Sequence, residues 1–134
     1  MDSSTHRRPL SPFLTVYRWQ YTMALSILHR VTGCALSVGL LLFVYWLVAV
    51  ASGPAAYRAA RQVLSLGVLK AVYVLLLAAF SYHLIAGFRH LVWDTGHGLE
   101  RTQSQRSAWL VGIASFLLFV GLAWWALHAG GRVR

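Results

Sequence analysis

The chain has 134 residues, 58% of them apolar and only 11% charged, and its twelve Lys and Arg against three Asp and Glu give a formal charge of +9. That length fits one domain, and long uncharged apolar runs point to transmembrane helices rather than a soluble core. In a soluble chain the basic excess would suggest nucleic acid. Here the cations fall mostly between apolar runs, where they set topology and meet anionic lipid. A single Cys34 excludes an internal disulfide and leaves no metal-type cysteine spacing. Cys34 reads as a small apolar residue on a helix face.

In chain order, residues 1–22 hold Pro9 and Pro12 and no apolar run, so they read as a cytoplasmic segment without a cleavable signal peptide. A charge-free stretch from about Val31 to Ala51 follows, roughly 21 residues or ~31 Å of helix, enough to cross a bilayer. Its helix is expected over 23–51, because nothing breaks it between Met23 and Ser52-Gly53-Pro54. A second helix is expected over 63–88, with Lys70 near enough to its start to snorkel. A third is expected over 108–129, ending at Gly130-Gly131, with Trp109 and Trp124-Trp125 as interfacial aromatics. The predicted fold class is therefore an all-α integral membrane protein, a single anchor domain (residues 1–134) with three transmembrane helices.

Orientation follows from the cations. Arg7, Arg8, Arg18, Arg30, Arg89, Arg101 and Arg106 lie on the N-terminal side, seven in all. Arg58, Arg61, Lys70, Arg132 and Arg134 make five on the other. The positive-inside rule then puts the N-terminus in the cytoplasm.

That topology gathers the polar residues near one surface. Ser26, Arg30, Gly33 and Ser37 are spaced i, i+4, i+7 and i+11, which is one face of a helix. His83, Gly87 and His90 are spaced i, i+4 and i+7, again one face. Small residues on such a face let a second helix or a flat cofactor approach closely. His83 is the most informative residue of the chain, because an ionisable side chain inside the hydrocarbon is a functional-site hypothesis by default. Neutral imidazole is also a common metal ligand and the usual protein ligand of haem iron.

The run Ser26-Ile-Leu-His29-Arg30-Val-Thr-Gly33, preceded by Arg8-Pro-Leu-Ser-Pro12 and Tyr17-Arg18, resembles a signature of the succinate dehydrogenase cytochrome b subunit family. The run His83-Leu-Ile-Ala-Gly87-Phe-Arg89-His90-Leu-Val-Trp93-Asp94 resembles that family's second signature. The resemblance covers nearly the whole chain. It implies a membrane anchor that, with a sister subunit, forms a haem-binding helical bundle and holds a flavoprotein and an iron–sulfur subunit to the bacterial cytoplasmic membrane. Together these subunits would pass electrons from succinate to quinone, in the respiratory chain and the tricarboxylic acid cycle, with no activity in the isolated chain. By the same resemblance His83 would be one axial ligand to haem b, with the second on the sister subunit. His29 and Arg30 would lie near the haem propionates, and Ser26 and Arg30 would line the quinone pocket.

The residues themselves leave other readings open. A haem-free structural anchor would need the same spans, and a fumarate reductase anchor would run the electron path in reverse. A small transporter is disfavoured, because no span has an internal proline and the ionisable groups cluster toward one surface. His83 could be a helix-packing residue, and His29 divides evenly between function and surface anchoring. Arg89 and His90, at a helix end, read as headgroup-level anchors. Asp94 stands as a candidate partner for Arg89, and a proton-relay role for it has little support. His6, His97 and His128 read as surface or interfacial residues.

Overall fold

A computed structural model describes residues 20–129, which form four helices and no strand. They are α1 (Tyr21–Ala51), α2 (Pro54–Leu64), α3 (Gly67–Asp94) and α4 (Arg101–Ala129). Helices α1, α3 and α4 are apolar enough to cross a membrane and contain 31, 28 and 29 residues. At 1.5 Å per residue each exceeds the ~30 Å hydrocarbon core. Only 6–11% of their most apolar windows is buried within the chain. Large exposed apolar side chains on all three, such as Leu41, Leu75 and Leu117, suit contact with lipid or another protein. The expectations for residues 1–19 and for Gly130-Gly131 lie outside the described residues.

The second and third helices differ from their expected bounds of 63–88 and 108–129. The apolar run that begins at Val63 belongs at first to α2, an amphipathic helix of eleven residues with Pro54 in its first turn. Proline is tolerated there because that N–H has no intrahelical acceptor. The chain breaks at Ser65-Leu66 and restarts at Gly67, with the Tyr73 hydroxyl donating to the Leu64 carbonyl across the break (3.1 Å). Continuous hydropathy hid this corner. Helix α4 starts seven residues earlier than expected, because its first turns are helical but polar.

Helix α3 also runs on past Phe88 to Asp94, and this overturns the reading of Arg89 as a headgroup anchor. Arg89 is only 7% exposed. Its Nε donates to Ser107 Oγ (2.9 Å), and its Nη2 donates to the Ser104 carbonyl (2.9 Å) and hydroxyl (3.1 Å). The guanidinium also lies 4.0 Å from the centroid of the Trp93 ring. Asp94 is exposed, and no ion pair joins it to Arg89 among the described residues. A planar fork can address two serines of α4 at once, so Arg89 ties α3 to α4 where a carboxylate would otherwise be needed. Small buried residues complete the packing of the two helices, with Ala86 on α3 and Ala108 and Val111 on α4.

Helix α1 also packs on α3 and touches α4. Tyr82 of α3 donates its hydroxyl to the Leu25 carbonyl (2.6 Å). A Cβ at Gly39 would come within 2.9 Å of Leu76, so this glycine permits the close approach of the two helices. Near the start of α1, Tyr21 stacks on Trp109 of α4.

Two stability predictions follow from this framework. Arg89→Lys keeps the charge but loses the fork and the flat face over Trp93, so it should destabilise the assembled protein. Hydrogen bonds to charged groups contribute ~1.5–3 kcal/mol each, and denaturant unfolding in detergent should show a loss of that order; an unchanged midpoint would contradict the clamp. Gly53 sits at φ 98° and ψ −179°, a region essentially confined to glycine. Gly53→Ala should cost ~1–3 kcal/mol, whereas Gly67→Ala, in open space at a helical position without positive φ, should be near neutral in the same assay.

Candidate functional site

The site is built where α1 and α3 cross near the ends that carry Arg30 and Arg89. Thr32 of α1 donates its hydroxyl to the backbone carbonyls of Leu28 and His29, both at 2.9 Å. These back-bonds hold the Thr32 oxygen in place facing α3. His83 of α3 brings Nδ1 to 3.1 Å from the His29 carbonyl and 3.3 Å from Thr32 Oγ1. A carbonyl can only accept, so Nδ1 carries the proton and donates it. The neutral ring then has its lone pair on Nε2. A Cβ at Gly33 would lie 3.0 Å from His83 Cε1, so the absent side chain makes the room in which the imidazole stands.

A column of aromatic rings rises from His83. The His29 ring stacks on it at 4.1 Å between centroids and only 6° from parallel. His90 also lies against His29, at 4.7 Å between centroids and tilted by 42°. Trp93 then meets His90 edge-on at 5.3 Å and 87°. His29 Nε2 is buried and makes no hydrogen bond among the described residues. It points toward Gly87, where an added Cβ would sit 3.8 Å away. His29, His83, Gly87 and His90 line one groove of about 390 Å³, whose other walls are Leu84, Phe88 and Leu91. An apolar groove with three imidazoles and an unsatisfied ring nitrogen suits a flat, largely apolar group with polar edges.

The structure therefore brings together His29, His83, Gly87 and His90. It places Ser26 and Arg30 differently: Ser26 is half-buried one turn from the start of the histidine column, and Arg30 is exposed. Neither makes a side-chain hydrogen bond among the described residues. Of the polar stripe expected on the first helix, Gly33 packs on His83, while Ser37 is exposed and bonds back to the Gly33 carbonyl (3.0 Å). Gly87 leaves room beside His29 rather than beside His83. His97 and His128 are exposed, and Cys34 is exposed on α1.

Two members of the site escaped sequence reasoning. Thr32 acts across a helix pair, and nothing in linear spacing links it to a residue 51 positions later. His90 had a signal, since it shares the face of His83, but its place near a helix end favoured a role at the surface. The serine pair Ser104 and Ser107, three residues apart on α4, was the available signal that Arg89 turns inward.

Comparison with known proteins points the same way across the chain. A family model described as the succinate dehydrogenase/fumarate reductase transmembrane subunit matches residues 4–122. The succinate dehydrogenase cytochrome b556 subunit of Paracoccus denitrificans is 39% identical over 119 residues, covering 89% of this chain and 92% of its own. The corresponding b556 subunit of Rickettsia typhi is 37% identical over 113 residues, with 84% and 88% covered. The mitochondrial succinate dehydrogenase cytochrome b560 subunit of Homo sapiens is 38% identical over 118 residues, with 87% and 70% covered. With three membrane-length helices and these matches over most of its length, the chain belongs to the succinate dehydrogenase cytochrome b subunit family, the membrane anchors of that enzyme.

Proposed function

We propose that this chain binds haem b through His83 and helps pass electrons from an iron–sulfur subunit to quinone, as the multi-pass anchor of a succinate:quinone oxidoreductase. The observation that carries the reading is the 3.1 Å contact of His83 Nδ1 with the His29 carbonyl, which requires the Nδ1–H tautomer. With Nδ1 donating to the His29 carbonyl, Nε2 is the free ligand nitrogen of a ring whose orientation is set by a backbone atom. Such an outer partner orients a ligating histidine and raises its basicity. The residues present fit the group: the ring stands in the space left by Gly33, and His29 Nε2 is a buried, unsatisfied polar atom on the same groove. When bound, the haem supplies a one-electron redox centre whose potential the protein tunes.

The chain's own residues divide the remaining work. His29 Nε2 can hydrogen-bond a propionate edge, and Arg30 is a permanently charged planar fork suited to carboxylates. Ser26 can donate its hydroxyl proton to a quinone carbonyl with little bulk. Arg30, one turn further on the same face, would stabilise negative charge that develops on the quinone oxygen. A sister anchor subunit would supply the haem's other protein ligand, and flavoprotein and iron–sulfur subunits would complete the complex. The names of the relatives, cytochrome b subunits of succinate dehydrogenase, support these partners and the cofactor. Bacterial relatives support a bacterial cytoplasmic membrane. A cytoplasmic N-terminus is supported by the cations Arg30, Arg89, Arg101 and Arg106, near the ends where α1 begins, α3 finishes and α4 begins.

Two experiments test the reading. In the assembled complex, His83→Leu should abolish the haem spectrum, and Gly33→Ala should perturb it, because the new Cβ would lie 3.0 Å from His83 Cε1. An unchanged spectrum with full haem content in His83→Leu would overturn the ligand assignment. For the quinone site, Ser26→Ala and Arg30→Lys should each slow quinone reduction per bound flavin. Losing one preorganised donor typically costs ~10²–10³-fold in turnover. Succinate oxidation with an artificial acceptor should remain near normal. Normal quinone turnover in both variants would place the site elsewhere.

A further inference from the structure

Four rings joined by three contacts in series connect the α3–α4 junction to His83. At the far end, Trp93 is held from two sides: Arg89 lies over its face, and its Nε1 donates to the Gly98 carbonyl (3.1 Å). Gly98 adopts φ +78°, and a Cβ there would lie 3.6 Å from Trp93, so the loop is folded down on the indole. Arg89 is in turn fixed by Ser104 and Ser107 of α4. Trp93 is therefore a rigid platform, anchored to two helices and the loop between them. His90 stands edge-on to it, a favourable aromatic geometry. The other side of His90 leans on His29, which lies flat on His83.

We propose that His90 is a positioning residue for the haem site: supported edge-on by Trp93, it holds the His29 imidazole flat against His83 and so sets the plane of the axial ring. The proposal rests on the reading of His83 as the haem ligand. Three observations favour a positioning role over a surface anchor. His90 is half-buried and lines the same groove as His29 and His83. Its ring nitrogens make no hydrogen bond among the described residues, so its contacts here are those of a flat ring with its neighbours. His29 Nε2 is buried and unsatisfied among the described residues, so no partner on that nitrogen fixes the plane of the His29 ring. Its ring is packed against two others, stacked on His83 at 4.1 Å and tilted against His90 at 4.7 Å, and these contacts restrain its plane. Without His90, His29 loses one of its two ring neighbours and can tilt, and the His83 ring, held at Nδ1 by the His29 carbonyl, loses the parallel neighbour that further restrains its plane.

This makes a prediction that a merely structural role would not. The low-spin electron paramagnetic resonance g values of a haem with two imidazole ligands follow the relative orientation of the two ring planes. Loss of bundle stability alone would lower the amount of complex without moving those values. The experiment uses the whole complex with His90→Ala, His90→Phe and His83→Leu, each measured for haem per flavin and for the ferric g values. His90→Ala should shift the g values of the haem that is retained, or lose the haem while flavin remains. His90→Phe, which keeps a ring of similar size against Trp93 and His29, should give the wild-type g values and haem content. Unchanged g values in His90→Ala, or a His90→Phe variant that behaves like His90→Ala, would overturn the proposal. The His83→Leu arm separates the two ideas. If His83→Leu loses haem while the His90 series fails as stated, the ligand reading stands and only the positioning role falls. If His83→Leu keeps a normal haem, both fall together.

Discussion

The contact on which the site depends is the one between the His83 ring and the backbone carbonyl of His29. A neutral imidazole has one donor and one acceptor nitrogen, and its partner decides which is which. Here the partner is a main-chain oxygen, which cannot donate and cannot rotate away. The constraint propagates backward into the sequence. Thr32 must back-bond to its own helix to stand beside the same nitrogen, and Gly33 must lack a side chain because the ring occupies its space. It also propagates outward. Once Nδ1 is committed to the protein, Nε2 is the only nitrogen left for a ligand role.

The bundle around this contact follows the logic of polar groups in an apolar solvent. Water is scarce at bilayer depth, so each polar atom has to find its partner within the protein or in a bound group. Tyr82 reaches a carbonyl of α1, Ser81 and Ser115 bond back to their own helices, and Arg89 is satisfied by two serines of α4. Among the buried side-chain polar atoms of the described residues, His29 Nε2 has no partner, and it lies on the groove. An exception at that position is a pointer to a ligand edge rather than a defect in packing. The exposed apolar faces of α1, α3 and α4 have the same meaning at larger scale, since their surfaces are built for lipid or for a partner helix.

Much of this was legible in the sequence. Three spans were readable because uncharged runs of about 20 residues have one common explanation in a basic, apolar chain. The grouping of His83, Gly87 and His90 was readable because they recur at helical spacing. What could not be read was anything decided between helices. The corner at Ser65-Leu66 lies inside continuous hydropathy, so the length of the apolar run placed the start of the second helix too early. Arg89 looked like a surface anchor because a cation at the end of an apolar run usually is one; its serine partners lie 15 and 18 residues away on another helix. The pairing of Thr32 with His83 and the stacking of His29 on His83 depend on which faces of α1 and α3 meet, and periodicity within one helix does not contain that information.

The most direct test of the central claim, that this chain gives the haem iron one imidazole and that it belongs to His83, is a count of nitrogens. The complex can be assembled from this chain grown with nitrogen-15 histidine and unlabelled partner subunits, and examined by pulsed electron paramagnetic resonance in the ferric state. The account predicts strong coupling to one axial nitrogen-15 imidazole from this chain, lost on His83→Leu, with the other axial nitrogen remaining nitrogen-14. Two labelled axial nitrogens, none, or a labelled signal that survives His83→Leu would contradict it.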